Sequence, residues 1–231
     1  MKRVLEPELM QDLLQVQAYS DADFSESDNS LISRIEEVLF QESKKLDSKS
    51  LIVDLGCGPG NITELLFSRW PTSEIMGIDG SEAMLALARQ RKNQMNSSEA
   101  EIRINYCCCD FSSLGNGSIV LERQADLIVS NSLLHHLHDP SYFWEALKPL
   151  TAKGTVYLHR DLRRPSSMDD AIALQKAYLP EAPQVLIHDY LASLQAAFTV
   201  SEIKTQLESA GLEHLSVLEK SDRYLEVFGS F

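Results

Sequence analysis

Four residues at alternate positions could hold a polar ligand: Asp54, Gly56, Gly58 and Gly60. They follow a short apolar run and precede a helical-looking segment, so the glycines occupy a turn between a strand and a helix. Glycine lacks a Cβ, which lets a ligand approach bare backbone, and the next helix offers unpaired N–H groups. The dinucleotide pattern G-x-G-x-x-G would need glycine where the chain has Asn61. Because the nearby carboxylate would repel a pyrophosphate, the turn favours a cationic ligand.

Acids also follow the next two apolar segments. Asp79 comes after residues 74–78, where its two oxygens could accept a pair of hydroxyl groups. It could instead cap the following helix, with Gly80 or Ser81 as the rival cap. Asp110 comes after residues 102–109, and an acid there is alternatively a simple turn residue.

Three histidines, His135, His136 and His138, lie within four residues of one another. A helical zinc pair has histidines four positions apart, and this group lacks that spacing, so we predict no metal. We expect one of His135 and His136 to border the ligand site as a candidate catalytic base and the other to be structural. Candidate bases at the next strand end are His159 and Asp161, although a structural ion pair between Arg160 and Asp161 is the favoured interpretation of that charged segment.

These residues fall within a regular alternation of apolar strands and amphipathic helices, which predicts a parallel sheet with helices on both faces. Ligands of such sheets bind beyond the carboxyl ends of the strands. The predicted strands are 50–55, 74–78, 102–109, 125–130 and 155–159, and the helices between them are 60–69, 81–94 and 141–148. Helices are predicted at 5–17 and 30–44, then at 166–178, 184–198 and 201–210, and closing strands at 212–219 and 224–228. A capping box of Thr199 and Glu202 begins the last helix, and Gly211 ends it.

The segment Asp54-Leu-Gly-Cys-Gly-Pro-Gly60 resembles motif I of the class I, seven-stranded S-adenosylmethionine methyltransferases and matches it at every defined position. Asp79 is similar to the motif II acid, and residues 135–140 resemble a His-His-Leu-x-Asp-Pro stretch that recurs in family members acting on small molecules. The likeness covers 48–160 by motif and 200–231 by layout. It implies a Rossmann-like, doubly wound, mostly parallel seven-stranded sheet with an antiparallel last strand.

The resemblance also implies S-adenosylmethionine as cofactor and S-adenosylhomocysteine as product. Asp79 would bind the ribose, Asp110 and the Phe111 N–H would meet the adenine, and Tyr19 could close over the ligand as a lid. The cofactor residues that it implies are Asp54, Gly56, Cys57, Gly58, Gly60, Asp79, Gly80, Met84, Asp110, Phe111, Asn131 and Tyr19.

By the same resemblance the chain is one methyltransferase domain over 1–231, with a helical N-terminal lid at 1–46 and a helical substrate-side insert at 163–198. The implied reaction is in-line methyl transfer to a small-molecule acceptor, driven mainly by alignment and desolvation. Three alternatives stay open: a non-catalytic S-adenosylmethionine-binding regulatory module, transfer of another group from a derivative of that cofactor, and a nicotinamide dehydrogenase.

Length, net charge and cysteine content indicate which classes of partner and which compartment to expect. The chain has 231 residues and a formal net charge of −13, which disfavours nucleic acids and anionic membranes. Its charged N-terminus and lack of a membrane-length apolar run lead us to expect a cytoplasmic protein. The four cysteines, Cys57 and Cys107 to Cys109, lack zinc spacing and are expected to be small buried hydrophobes in a reducing compartment. Apolar residues of the insert would cover the acceptor, the sheet or a second subunit, the last giving a homodimer.

Overall fold

The computed structural model describes residues 1–6, 16, 19, 22–95, 102–115 and 123–231. Within these residues seven strands form one sheet in the order β3-β2-β1-β4-β5-β7-β6. Strands β1 to β5 run parallel, whereas β7 is antiparallel to both β5 and β6. The predicted Rossmann-like sheet with an antiparallel last strand is therefore confirmed. The strands are β1 Leu51–Leu55, β2 Glu74–Asp79, β3 Ile104–Cys108, β4 Leu127–Asn131, β5 Val156–Leu162, β6 Ser216–Glu219 and β7 Tyr224–Ser230.

Helices cover both faces of this sheet. Alternate side chains of β1 enter two core clusters: Ile52 packs with Leu31 and Leu66 on one face, and Val53 packs with Trp144 on the other. No helix of the described residues is long and apolar enough to span a bilayer. The helices are α1 Ser25–Gln41, α2 Asn61–Arg69, α3 Glu82–Gln94, α4 Phe111–Gly115, α5 Ser141–Leu150, α6 Met168–Tyr178, α7 Gln184–Ala196 and α8 Val200–Ala210, with a 3₁₀ turn at Leu134–His136.

Several element boundaries differ from the prediction. Helix α1 begins at Ser25 rather than near residue 30, and the short helix α4 and the 3₁₀ turn were not predicted. Strand β6 begins at Ser216 rather than at 212. The predicted helix at 5–17 falls almost entirely outside the described residues. The capping box of Thr199 and Glu202 is confirmed, with both reciprocal hydrogen bonds present.

Strand β5 runs three residues beyond its predicted end, because Arg160 and Asp161 each find a charged partner, on opposite faces of the sheet. Arg160 Nη2 lies 2.8 Å from Glu226 Oε1, its cross-strand partner on β7, and Arg34 of α1 binds the other oxygen of that carboxylate. Asp161 points to the other face and binds His135. The predicted ion pair between Arg160 and Asp161 is therefore wrong, since each residue has a different partner.

The cysteines also differ from expectation. Cys57 and Cys109 are buried as predicted, but Cys107 is only half-buried and Cys108 is exposed. Cys108 lies in β3, an edge strand whose partner is β2, so its outer side is not covered by another strand. The reading of all four thiols as buried hydrophobes is wrong for these two.

Candidate active site

The glycine turn between β1 and α2 is fixed to the end of β2. The N–H groups of Gly56 and Cys57 both donate to Ile78 O, at 2.7 and 3.1 Å. Gly56 has φ +71°, and a Cβ there would lie 2.6 Å from Leu133 Cδ1. Gly58 has φ +53°, and a Cβ there would meet nothing within 4 Å. Gly56 is thus needed for close packing, whereas Gly58 leaves open space beside bare backbone.

A cavity of about 400 Å³ lies beside this turn, at the carboxyl ends of β1, β2 and β4. We call it the loop cavity. Gly60 is the predicted cofactor residue that does not line it: Gly60 starts α2, and a Cβ there would lie 2.7 Å from the Tyr106 hydroxyl oxygen. The structure brings together at the loop cavity the predicted residues Asp54, Gly56, Cys57, Gly58, Asp79, Gly80, Met84, Asp110, Phe111, Asn131, Tyr19 and His136.

The carboxylate of Asp79 is held at the wall of the loop cavity by two backbone groups. Gly58 N donates to Oδ2 at 2.9 Å, and Ser81 N donates to Oδ1 at 2.7 Å. The N-cap of α3 is Ser81, whose hydroxyl accepts from Met84 N, so Asp79 is not the cap. Each oxygen keeps a further acceptor site, and the two together suit a pair of neighbouring hydroxyl groups.

Two other carboxyl groups make the loop cavity attractive to a cation. Asp54 is 1% exposed and accepts a hydrogen bond of 2.6 Å from the Thr63 hydroxyl, and burial raises its pKa to about 7. Asp28, from α1, is buried too, and desolvation raises its pKa to about 6. Carboxyl groups held in this way gain from a bound positive charge, so the site fits a sulfonium ligand better than a diphosphate.

Asp110 has a structural task in addition to its place on the cavity wall. Its Oδ1 accepts from the Ser112 hydroxyl at 2.6 Å and from Ser113 N at 2.8 Å, and these hydrogen bonds lower the pKa of Asp110. They fasten the first turn of α4, which fits the turn-residue interpretation. The next residue, Phe111, also lines the loop cavity.

The two candidate catalytic histidines occupy different surroundings. His135 is 2% exposed, its Nδ1 lies 2.5 Å from Asp161 Oδ1, and its N–H donates to Asp161 Oδ2. Burial alone would lower the pKa of His135, but the charge and hydrogen bond of Asp161 raise it. His136 is half-buried and lines the loop cavity, which His135 does not.

Glu6 joins the two histidines, and sequence reasoning missed it. Its Oε1 lies 3.1 Å from His136 Nδ1 and 3.5 Å from His135 Nε2. Among the described residues these three form a group whose ligand atoms lie within 4.8 Å of one another, close enough for a metal ion. The absence of a metal stays a prediction. No spacing in the sequence links Glu6 to residues 135 and 136.

The other two candidate bases lie away from the cavity. His159 is fully buried, with its ring 5.2 Å from that of Phe143, and Asp161 is occupied by His135. Neither lines the loop cavity, so the prediction that they could act as bases at the ligand site is wrong. Strand β5 continues past both residues and keeps them inside the protein.

A second cavity of about 210 Å³ adjoins the first, and we call it the tyrosine cavity after Tyr178, Tyr190 and Tyr224 in its wall. Asp28 and His136 line both cavities. Sequence reasoning missed Asp28 because the predicted helix began too late. The signal was present: Asp28, Leu31 and Ile35 have the spacing of one helical face, which puts an acid on an apolar stripe.

Comparison with known proteins gives the family. A protein-family model described as a methyltransferase domain matches residues 52–154. The trans-aconitate 2-methyltransferase of Variovorax paradoxus is 53% identical over 140 residues, 60% of this chain and 48% of the relative. These two matches support a class I S-adenosylmethionine-dependent methyltransferase. The Yersinia pestis trans-aconitate 2-methyltransferase is 53% identical to it over 124 residues, 52% of this chain and 43% of the relative. The chain thus spans less than half the length of either relative.

Solved structures share the fold of this chain. The plantazolicin methyltransferase BpumL, solved with S-adenosylhomocysteine, has a TM-score of 0.62 at 16% identity, over 94% of this chain and 93% of that one. An S-adenosylmethionine-dependent methyltransferase from Aquifex aeolicus has a TM-score of 0.61 at 16% identity, over 95% and 98%. At this identity the likeness concerns the fold alone.

Proposed function

We propose that this methyltransferase binds S-adenosylmethionine in the loop cavity and methylates a small molecule held in the tyrosine cavity. The observation that carries the proposal is the Asp79 carboxylate, fixed by Gly58 N and Ser81 N beside open backbone. The acidic wall formed with Asp54 and Asp28 supports a cationic ligand. Asp110, Asp79 and Asn131 all line the loop cavity, whose volume of about 400 Å³ suits a ligand the size of a nucleoside.

Within this proposal the residues of the loop cavity divide the cofactor among them. Asp79 accepts the two ribose hydroxyls, and Asp110 with the Phe111 N–H binds the adenine edge. Gly80 and Met84 flank the adenine ring, and the end of β4 at Asn131 flanks the methionine part. The cofactor, when bound, supplies a methyl group whose bond to positively charged sulfur breaks as the bond to the acceptor forms, leaving S-adenosylhomocysteine. Alignment of the two molecules accounts for most of the rate.

His136 is the proposed proton acceptor because it lines both cavities. The Glu6 carboxylate lies 3.1 Å from His136 Nδ1, close enough to fix the position of the imidazole ring beside the two cavities. As the acceptor atom takes the methyl group, its proton passes to His136. His135 is proposed to be structural, since Asp161 holds both its ring and its N–H.

The experiment is a binding measurement followed by a turnover screen. Isothermal titration calorimetry should detect S-adenosylmethionine binding, and release of S-adenosylhomocysteine should then be read across small-molecule acceptors. Trans-aconitate belongs in the screen because it appears in the names of the relatives. Binding without release would favour the regulatory alternative. Greater thermal stabilisation by NAD than by S-adenosylmethionine would overturn the proposal in favour of a dehydrogenase.

A further inference from the structure

The chemistry of the tyrosine cavity points to a class of acceptor, an inference that rests on the proposed function. This cavity adjoins the loop cavity, because Tyr19, Phe24, Asp28, Asn131 and His136 line both. A molecule in the tyrosine cavity would therefore lie next to the proposed cofactor. Its aromatic walls suit a flat or apolar body.

One cation faces this cavity without a carboxylate partner. The Arg223 guanidinium carbon lies 3.6 Å from the centre of the Tyr178 ring and 4.7 Å from that of Tyr224. The Tyr178 hydroxyl donates to Asp222 Oδ1 at 2.8 Å, which steadies that ring. Within the described residues Arg223 forms no ion pair with an acid. A guanidinium stacked on rings keeps N–H donors at its edge, the arrangement that binds a carboxylate.

One carboxylate faces the same cavity without a donor. Asp189 of α7 lines the wall, and its Oδ2 is buried with no hydrogen-bond partner in the described part of the chain. Asp189 and Arg223 do not pair with each other. A buried carboxylate oxygen that accepts no hydrogen bond is costly, so this position calls for an N–H donor, best a charged one.

The remaining charges argue against a polyanion. Asp23, Glu26 and Asp28 also line the tyrosine cavity, whereas Arg223 is the single lysine or arginine among the described residues of its wall. A tricarboxylate would meet one guanidinium and several acids, and like charges brought together in a cavity repel. The site therefore differs from what an acceptor such as trans-aconitate requires.

We propose that the tyrosine cavity binds its acceptor as a small zwitterion with an aromatic-sized body. The carboxylate of the acceptor pairs with Arg223, and its ammonium group pairs with Asp189. The ring or chain of the acceptor packs against Tyr190 and Tyr224. The anionic group of the ligand thus matches the Arg223 guanidinium, and its cationic group matches the Asp189 oxygen that lacks a donor.

The test uses four probes titrated by calorimetry into the full chain, alone and saturated with S-adenosylhomocysteine. L-tyrosine carries both charges, tyramine only the ammonium, 3-(4-hydroxyphenyl)propanoate only the carboxylate, and trans-aconitate three carboxylates. We expect L-tyrosine to bind at least about tenfold more tightly than either singly charged analogue. Trans-aconitate should bind most weakly. Tighter binding of trans-aconitate than of the other three, or no binding of L-tyrosine, would overturn the inference.

Two variants assign the charges. Arg223→Gln should weaken L-tyrosine and the propanoate about tenfold and leave tyramine unchanged, whereas Asp189→Asn should weaken L-tyrosine and tyramine only. Arg163→Gln and Asp169→Asn are the controls, since neither residue lines a cavity. Unchanged L-tyrosine affinity in either test variant refutes the pairing. Failure of the wild type to bind S-adenosylmethionine would sink the proposed function instead, and titration of the probes into the protein alone separates the two results.

Discussion

Replacing Asp79 with asparagine tests whether both oxygens of its carboxylate are needed to bind the ribose. Both oxygens of the carboxylate already accept a backbone N–H, from Gly58 at 2.9 Å and from Ser81 at 2.7 Å. An amide of the same shape has one oxygen and one NH₂ group, so it can accept only one of these hydrogen bonds. Its NH₂ group must face a backbone donor, and it carries no charge.

The magnitude follows from the hydrogen bonds that change. A hydrogen bond to a charged group contributes about 1.5–3 kcal/mol, and the amide loses one ribose acceptor and weakens the other. We expect S-adenosylmethionine binding to lose about 3 kcal/mol, an increase in Kd of about two orders of magnitude. The loop at Gly58 loses its anchor in the same substitution, which acts in the same direction.

The assay is calorimetric titration at pH 8 with a thermal melt to verify that each variant is folded. Asp139→Asn is the matched control, because Asp139 also lines the loop cavity and accepts from Ser141 N at 2.9 Å but has no proposed ribose role. The control should change Kd by less than about threefold, under about 0.7 kcal/mol. If folded Asp79→Asn bound within that same limit of the wild type, the ribose assignment would be refuted.

Three further predictions concern neighbouring parts of the site. Because burial raises the pKa of Asp54 to about 7, S-adenosylmethionine should bind more tightly at pH 8 than at pH 6, and binding should release protons. The ligand-free protein should lose stability as the pH rises from about 4 to about 7, since the folded state holds the Asp54 proton over that range and the unfolded state does not. A Kd independent of pH would contradict this. Gly56→Ala should lower the free energy of unfolding, measured in urea, by about 1–3 kcal/mol. Gly154→Ala is the control and should cost less, because Gly154 has a similar positive φ but no neighbouring atom that a Cβ would meet. Equal losses in the two variants would refute the packing argument. In assays of S-adenosylhomocysteine release, His136→Gln should lower kcat by about 10²-fold or more, and Glu6→Gln should lower kcat less. An unaltered kcat in His136→Gln would rule out His136 as the base.

The sequence predicts the sheet well because its central strands are buried on both faces. Leu51–Leu55 is buried at every position and is apolar except at Asp54, so β1 was placed within one residue. The acids at the ends of β1 and β2 could also be placed together, because parallel strands bring their carboxyl ends to one edge.

The errors arise where a partner distant in sequence decides the structure. Strand β5 continues through Arg160 because Glu226 lies opposite, 66 residues further along the chain. Glu6 meets His136 across a gap about twice as large, and no local pattern signals such a contact. Propensity and periodicity describe neighbours in the chain, so charges that depend on tertiary partners escape them.

The Glu226 carboxylate lies between two guanidinium groups, one on the sheet and one on α1. An apolar helix face can slide by a fraction of an ångström at little cost, but moving this helix would separate buried opposite charges. Helix α1, which places Asp28 in the wall of both cavities, is therefore held in one position against the sheet. A change of acceptor during evolution would then proceed by exchanging side chains along α1, and the distance between the two ligands would be inherited unchanged.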